Sequence, residues 1–154
     1  MKKQKGFSLI ELLIVVAIIL IIAAIAIPNL LRARMAANEA GSAAAIRTIN
    51  TAEISYQAAN PTVGFANTLA ILGPGATCGA ATACLIDSVM ASGTKSGYSY
   101  SLAAAGGPPA VTYLTVGTPL SASTGTRMFC SVEDAVVRAA LTAAGCTGAT
   151  APLQ

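Results

Sequence analysis

The sequence predicts an α+β protein in which one long N-terminal α-helix packs on a small C-terminal antiparallel β-sheet. Three observations carry this reading. Leu12 to Ile27 is an unbroken apolar run of sixteen residues; apolar residues then recur at three- and four-residue spacing to about Ala59; and the remainder alternates turn signals with short strand-like stretches. The length of 154 residues suits one globular unit with appendages. Boundaries follow at 1–6, a basic head; 7–28, a hydrophobic helix; 29–60, an amphipathic helix; and 61–154, a globular head with a connecting loop and the sheet.

The chain opens MKKQKGFSLIELLIVVAIILIIAAIAIP. Lys2, Lys3 and Lys5 precede a long apolar stretch, the order of a membrane-targeting segment whose basic end stays cytoplasmic. Phe7 to Ile27, interrupted only by Ser8 and Glu11, reaches about 30 Å as a helix and matches a bilayer core. Pro28 removes a backbone donor and is expected to kink or partly melt the helix. Beyond it Ile46, Ile49, Ala52 and Tyr56 form a stripe, with Arg47, Asn50 and Glu53 interleaved. Asn60-Pro61 ends the helix, because a residue before proline avoids the helical region.

After Pro61, Gly73-Pro74-Gly75, Gly93, Gly97 and Gly106-Gly107-Pro108-Pro109 punctuate the chain. A short helix is expected within Ala83 to Ser92. Strand character lies at Tyr98 to Leu102, Val111 to Val116, Arg127 to Val132 and Val136 to Ala139, giving a sheet of three or four strands on the helix stripe. Tyr56 is expected to anchor that sheet.

The net charge of +3 comes wholly from Lys2, Lys3 and Lys5; removing them leaves six basic and six acidic side chains. The remaining Arg and Lys form no dense patch, so no specific nucleic-acid partner is predicted. Enzymatic readings lack residues: there is no histidine, the carboxylates are scattered, and no phosphate loop, nucleophile elbow or dinucleotide fingerprint is present. No cofactor or metal is expected, since Asp87, Glu133 and Asp134 are the only acids beyond the helix.

Cys78, Cys84, Cys130 and Cys146 follow an export-type segment, where an even count points to disulfides. Of three connectivities, the local pairs Cys78 with Cys84 and Cys130 with Cys146 close the shortest loops. The rival, zinc, has no histidine and no close C-x-x-C pair to use.

Function concentrates at the N-terminus. Gly6 directly follows the basic head, whereas an ordinary secretory signal is cut after its apolar region, as Ala24-Ile25-Ala26 would permit. Glu11 lies inside an apolar segment, where a carboxylate costs on the order of 3 kcal/mol and calls for a partner. A cut after Gly6 would supply one, the new amine of Phe7.

The stretch Lys5-Gly6-Phe7-Ser8-Leu9-Ile10-Glu11-Leu12-Leu13 resembles the class III prepilin signal of type IV pilins and of type II secretion pseudopilins, and the likeness continues to about Tyr56. The resemblance implies a pilin fold, cleavage after Gly6 by a prepilin peptidase, N-methylation of Phe7, and pairing of Glu11 with the Phe7 amine of an adjacent subunit. It implies that Pro28 marks helix that can unwind in a filament, and that Cys130 and Cys146 form a disulfide near the C-terminus. The expected protein is a structural subunit of a surface filament, first held in the inner membrane and then polymerised through residues 7–28 by an assembly ATPase and a platform protein. The alternatives are a pseudopilin of a secretion pseudopilus and a secreted soluble domain released after Ala26.

Overall fold

The computed structural model describes residues 7–140 and Pro152. Two compact units divide the chain, Met1–Arg34 and Met35–Gln154. Helix α1 runs through Leu9–Ala59. It ends where expected: Asn60 donates its backbone N–H and its side-chain amide to the Tyr56 carbonyl, at 2.9 and 3.1 Å, and Pro61 follows. At Pro28 the partly melted form of the expectation is not what the single chain adopts. The helix is unbroken there, because a single missing donor leaves the turns on both sides intact; the chain by itself is not melted at this point.

In the second unit α1 buries Ser42, Ala43, Ile46, Ile49, Asn50, Glu53 and Tyr56. Arg47 is exposed as the stripe implies, but Asn50 and Glu53 are not on a solvent face: they are 3% and 0% exposed. Two short helices follow, α2 (Leu69–Leu72) and α3 (Ser88–Ala91). The second is shorter than the expected 83–92 because Asp87 caps it, accepting the Met90 N–H at 2.7 Å. Ile86 and Met90 enter the core, whereas Leu85 and Val89 stay exposed.

Among the described residues five strands form an antiparallel meander in chain order: β1 (Thr94–Lys95), β2 (Tyr98–Ala105), β3 (Thr112–Pro119), β4 (Met128–Val132) and β5 (Arg138–Ala140). Alternation sets the faces. Tyr98, Tyr100 and Leu102 of β2 are buried while Ser101 and Ala103 are exposed. Registers of Thr115 with Ser131 and Gly117 with Phe129 continue the inner face. Gly117 lets helix and sheet approach closely, since a Cβ there would stand 2.9 Å from the Ser42 hydroxyl and 3.0 Å from the Tyr100 ring. Tyr98 and Phe129 pack at a 6.0 Å centroid separation, and Phe65 covers Tyr113 at 4.8 Å.

Candidate functional site

In the first unit every large apolar side chain from Phe7 to Leu31 is exposed, between 47% and 82%. Helical geometry distributes them around the whole circumference, so this is an all-round apolar surface and not an amphipathic face. The helix is long and apolar enough to cross a membrane by length and composition.

At its N-terminus Ser8 is the first residue to enter the helix, its carbonyl accepting the Leu12 N–H at 3.3 Å. Glu11 folds back so that Oε2 accepts the Ser8 backbone N–H at 2.9 Å. This is the carboxylate half of a capping box, and it satisfies one of the donors that a helix start leaves free. Sequence reasoning placed Glu11 opposite an amine; the S-x-x-E spacing of Ser8 and Glu11 was the signal for this second, intrachain role. Phe7 stands exposed immediately before the cap. Lys2, Lys3, Lys5 and Gly6 lie outside the described residues, as does Cys146.

In the second unit one face of α1 holds four separate loop segments of the head. Asn38 donates to the Thr124 carbonyl at 3.0 Å. Glu39 Oε1 accepts the Thr126 N–H at 2.9 Å and hydroxyl at 3.0 Å, while Oε2 accepts Arg127 Nε at 2.8 Å. Burial pushes the Glu39 carboxyl up, but the Thr126 amide and the Arg127 guanidinium outweigh it and hold the group below the usual carboxylate range. Asn50 bridges Tyr113, whose hydroxyl donates to Oδ1 at 3.1 Å, and Ala135, whose carbonyl takes Nδ2 at 2.9 Å. Glu53 Oε2 accepts the Ala66 N–H at 2.9 Å, while Oε1 is buried without a partner. Desolvation raises this carboxyl to about 7, against the opposing pull of the Ala66 amide.

Tyr56 donates its hydroxyl to the Ala80 carbonyl at 2.7 Å, so it anchors the loop of residues 78–84 as well as joining the core. That loop is closed by a disulfide between Cys78 and Cys84. Cys130 is also disulfide-bonded. Among the described residues no three cysteine or acidic side chains converge as a metal site would need.

Sequence reasoning missed Asn38, Glu39, Asn50 and Glu53 as loop anchors. The signal was present for three of them: residues 39, 42, 46, 49, 50, 53 and 56 continue one i, i+3, i+4, i+7 series, which puts Glu39, Asn50 and Glu53 inside the buried stripe.

Residues 1–27 match the family described as the prokaryotic N-terminal methylation motif. The chain is similar to the type IV wide pilus major component PilA4 of Thermus thermophilus, with 67% identity over 39 residues. The match covers 25% of this chain and 30% of that protein. No solved structure gives a significant match.

Proposed function

We propose, from an N-terminal segment similar to that of a type IV pilus component, that this chain is the structural subunit of a pilus-like filament on the cell surface. The observation that carries the reading is the all-round apolar helix from Phe7 to Leu31, headed by a single acid. A membrane or a bundle of like helices covers such a surface on all sides; a docking site on one partner does not. In this reading a prepilin peptidase cuts after Gly6 and Phe7 is N-methylated. The helix waits in the inner membrane, and an assembly ATPase with its platform protein transfers it into the filament core. Its apolar side chains exchange lipid for protein neighbours and stay out of water throughout.

Glu11 has two duties in this scheme. Oε2 closes the helix start of its own chain, and in the filament the carboxylate receives the Phe7 amine of a neighbour whose helix is staggered along the first. Small residues Ala17, Ala23, Ala24 and Ala26 allow that neighbour to approach. Glu11→Ala is therefore expected to leave membrane insertion intact and to abolish filaments, counted by electron microscopy of sheared material. Unchanged filament number would remove the assembly role from Glu11.

The direct test of the whole reading is the intact mass of the protein sheared from cells, reduced and unreduced. The expected species has lost Met1 to Gly6, gained one methyl group and carries two disulfides, Cys130 pairing with Cys146. A soluble form beginning at Ile27, absent from the filament fraction, would overturn it.

A further inference from the structure

Arg32 and Arg34 stand at the end of the apolar surface, both exposed. The ion pairs among the described residues involve Lys95, Arg127 and Arg138, and neither of these two arginines. Leu12 to Leu31 is a stretch of twenty residues broken only by Pro28 and Asn29. At about 1.5 Å per residue it spans roughly 30 Å, the hydrocarbon thickness of a bilayer. Arg32 is the next residue and Arg34 lies two beyond it, so both belong at headgroup depth. Side chains on a helix lean toward its N-terminus, which tips both guanidiniums back toward the bilayer.

Their angular placement narrows the partner. A helix turns about 100° per residue, so residues two apart point about 200° apart. Arg32 and Arg34 therefore occupy opposite sides of α1. A protein or nucleic acid approaching from one side would meet one of them, whereas a surface that the helix pierces meets both.

We propose that Arg32 and Arg34 form a two-sided collar that binds the phosphates of anionic lipid headgroups at the outer face of the membrane. The collar fixes the depth of the helix before assembly, and this rests on the membrane-inserted stage of the proposed function. With Leu12 to Leu31 as the span, Glu11 comes to the inner rim of the apolar layer and is spared full burial in it.

The chain has no tryptophan, so Ala33→Trp, at an exposed position between the two arginines, supplies one indole as a local reporter. The full-length protein is reconstituted into phosphatidylcholine vesicles carrying acyl-brominated phosphatidylglycerol or, separately, acyl-brominated phosphatidylcholine. The expected result is quenching that favours phosphatidylglycerol by about fivefold in relative association constant, the effect of one basic residue at an anionic surface. Arg32→Gln with Arg34→Gln abolishes the preference, and excess inorganic phosphate does not. Arg47→Gln, which changes another exposed arginine outside those ion pairs fifteen residues further along, leaves it intact. Equal quenching by the two lipids with both arginines present, or a preference that survives their loss, would overturn the collar while leaving insertion standing. Absence of quenching by either lipid would overturn both, because the collar would then have no bilayer to face.

Discussion

Glu53 is the residue whose chemistry departs furthest from what its position in a helix suggests. Its side chain is 0% exposed and only one oxygen has a partner, so ionising it means placing a charge in a poorly compensated interior. The folded carboxyl is raised from 4.5 to about 7, which means that the native state binds the proton more tightly than the unfolded chain does. Stability from this group is therefore complete below pH 4.5 and is lost as the pH rises to 7, by up to about 3 kcal/mol. Glu39, held below its usual range by the Thr126 amide and then Arg127, and Asp134, held there by Arg138, act in the opposite sense. Their contribution is present above the ordinary carboxylate range and fades as the pH falls through it. Thermal unfolding should thus be most resistant in mildly acidic solution. Glu53→Gln keeps an acceptor for the Ala66 N–H and removes the charge. It is expected to unfold like the parent near pH 5 and to be more stable by about 1–3 kcal/mol near pH 8. Parallel melting curves for the two proteins across that range would refute this account of Glu53.

At the scale of elements, the head is a helix to which separate loops are pinned, and two of the pins are open to test. Gly64 has φ +85°, and a Cβ there would lie 2.2 Å from the Ala110 carbonyl oxygen. The strain and the backbone clash act together where the Phe65 N–H donates to that same carbonyl at 3.1 Å. Gly64→Ala is expected to cost about 2–3 kcal/mol in urea unfolding, well beyond an ordinary surface change. The Cys78–Cys84 disulfide closes a loop so short that its chain-entropy contribution is only about 2 kcal/mol. The loop is also held by Ala83 N–H on the Ile71 carbonyl at 2.6 Å and Leu85 N–H on Leu72 at 2.8 Å. Replacing both cysteines by serine should lower the unfolding free energy by about that amount and leave the head folded by circular dichroism. Loss of the fold would show that the disulfide, and not the backbone ladder, organises this segment. The elements themselves were largely legible. The end of α1 at Asn60-Pro61 and four of the five strands follow from turn signals and alternation. Helix α2 was not, because Leu69–Leu72 is one turn with no period to read. Strand β1 has only two residues, too few for alternation to show. Glu39, Asn50 and Glu53 were obscured by their polarity: the pattern put them on the buried stripe, but residue type argued for solvent, and only the loops they hold explain why burial won.

The whole molecule divides its apolar surface unequally. Among the described residues twenty-four large hydrophobic side chains are exposed; seventeen lie between Phe7 and Leu31 and seven beyond. The division coincides with the two compact units, which meet between Arg34 and Met35. It was visible in the sequence as the contrast between an unbroken apolar run and a Gly-, Ser- and Thr-rich remainder. The core cluster that begins at Ala43 and runs through Tyr56, Tyr98 and Phe129 draws every member from the second unit. Its polar anchors Asn38, Glu39, Asn50 and Glu53 lie there as well. Among the described residues the core cluster and these anchors all belong to the second unit, so removing the residues before Met35 should remove insolubility and leave the fold. A fragment of residues 35–154 is expected to elute as a monomer in detergent-free buffer and to unfold cooperatively, with a midpoint within a few degrees of the full-length protein in detergent. It should also keep the pH dependence assigned to Glu53, since that carboxyl and the Ala66 amide are both inside the fragment. Aggregation of the fragment, or a broad transition without cooperativity, would mean that the head depends on the first unit for its stability.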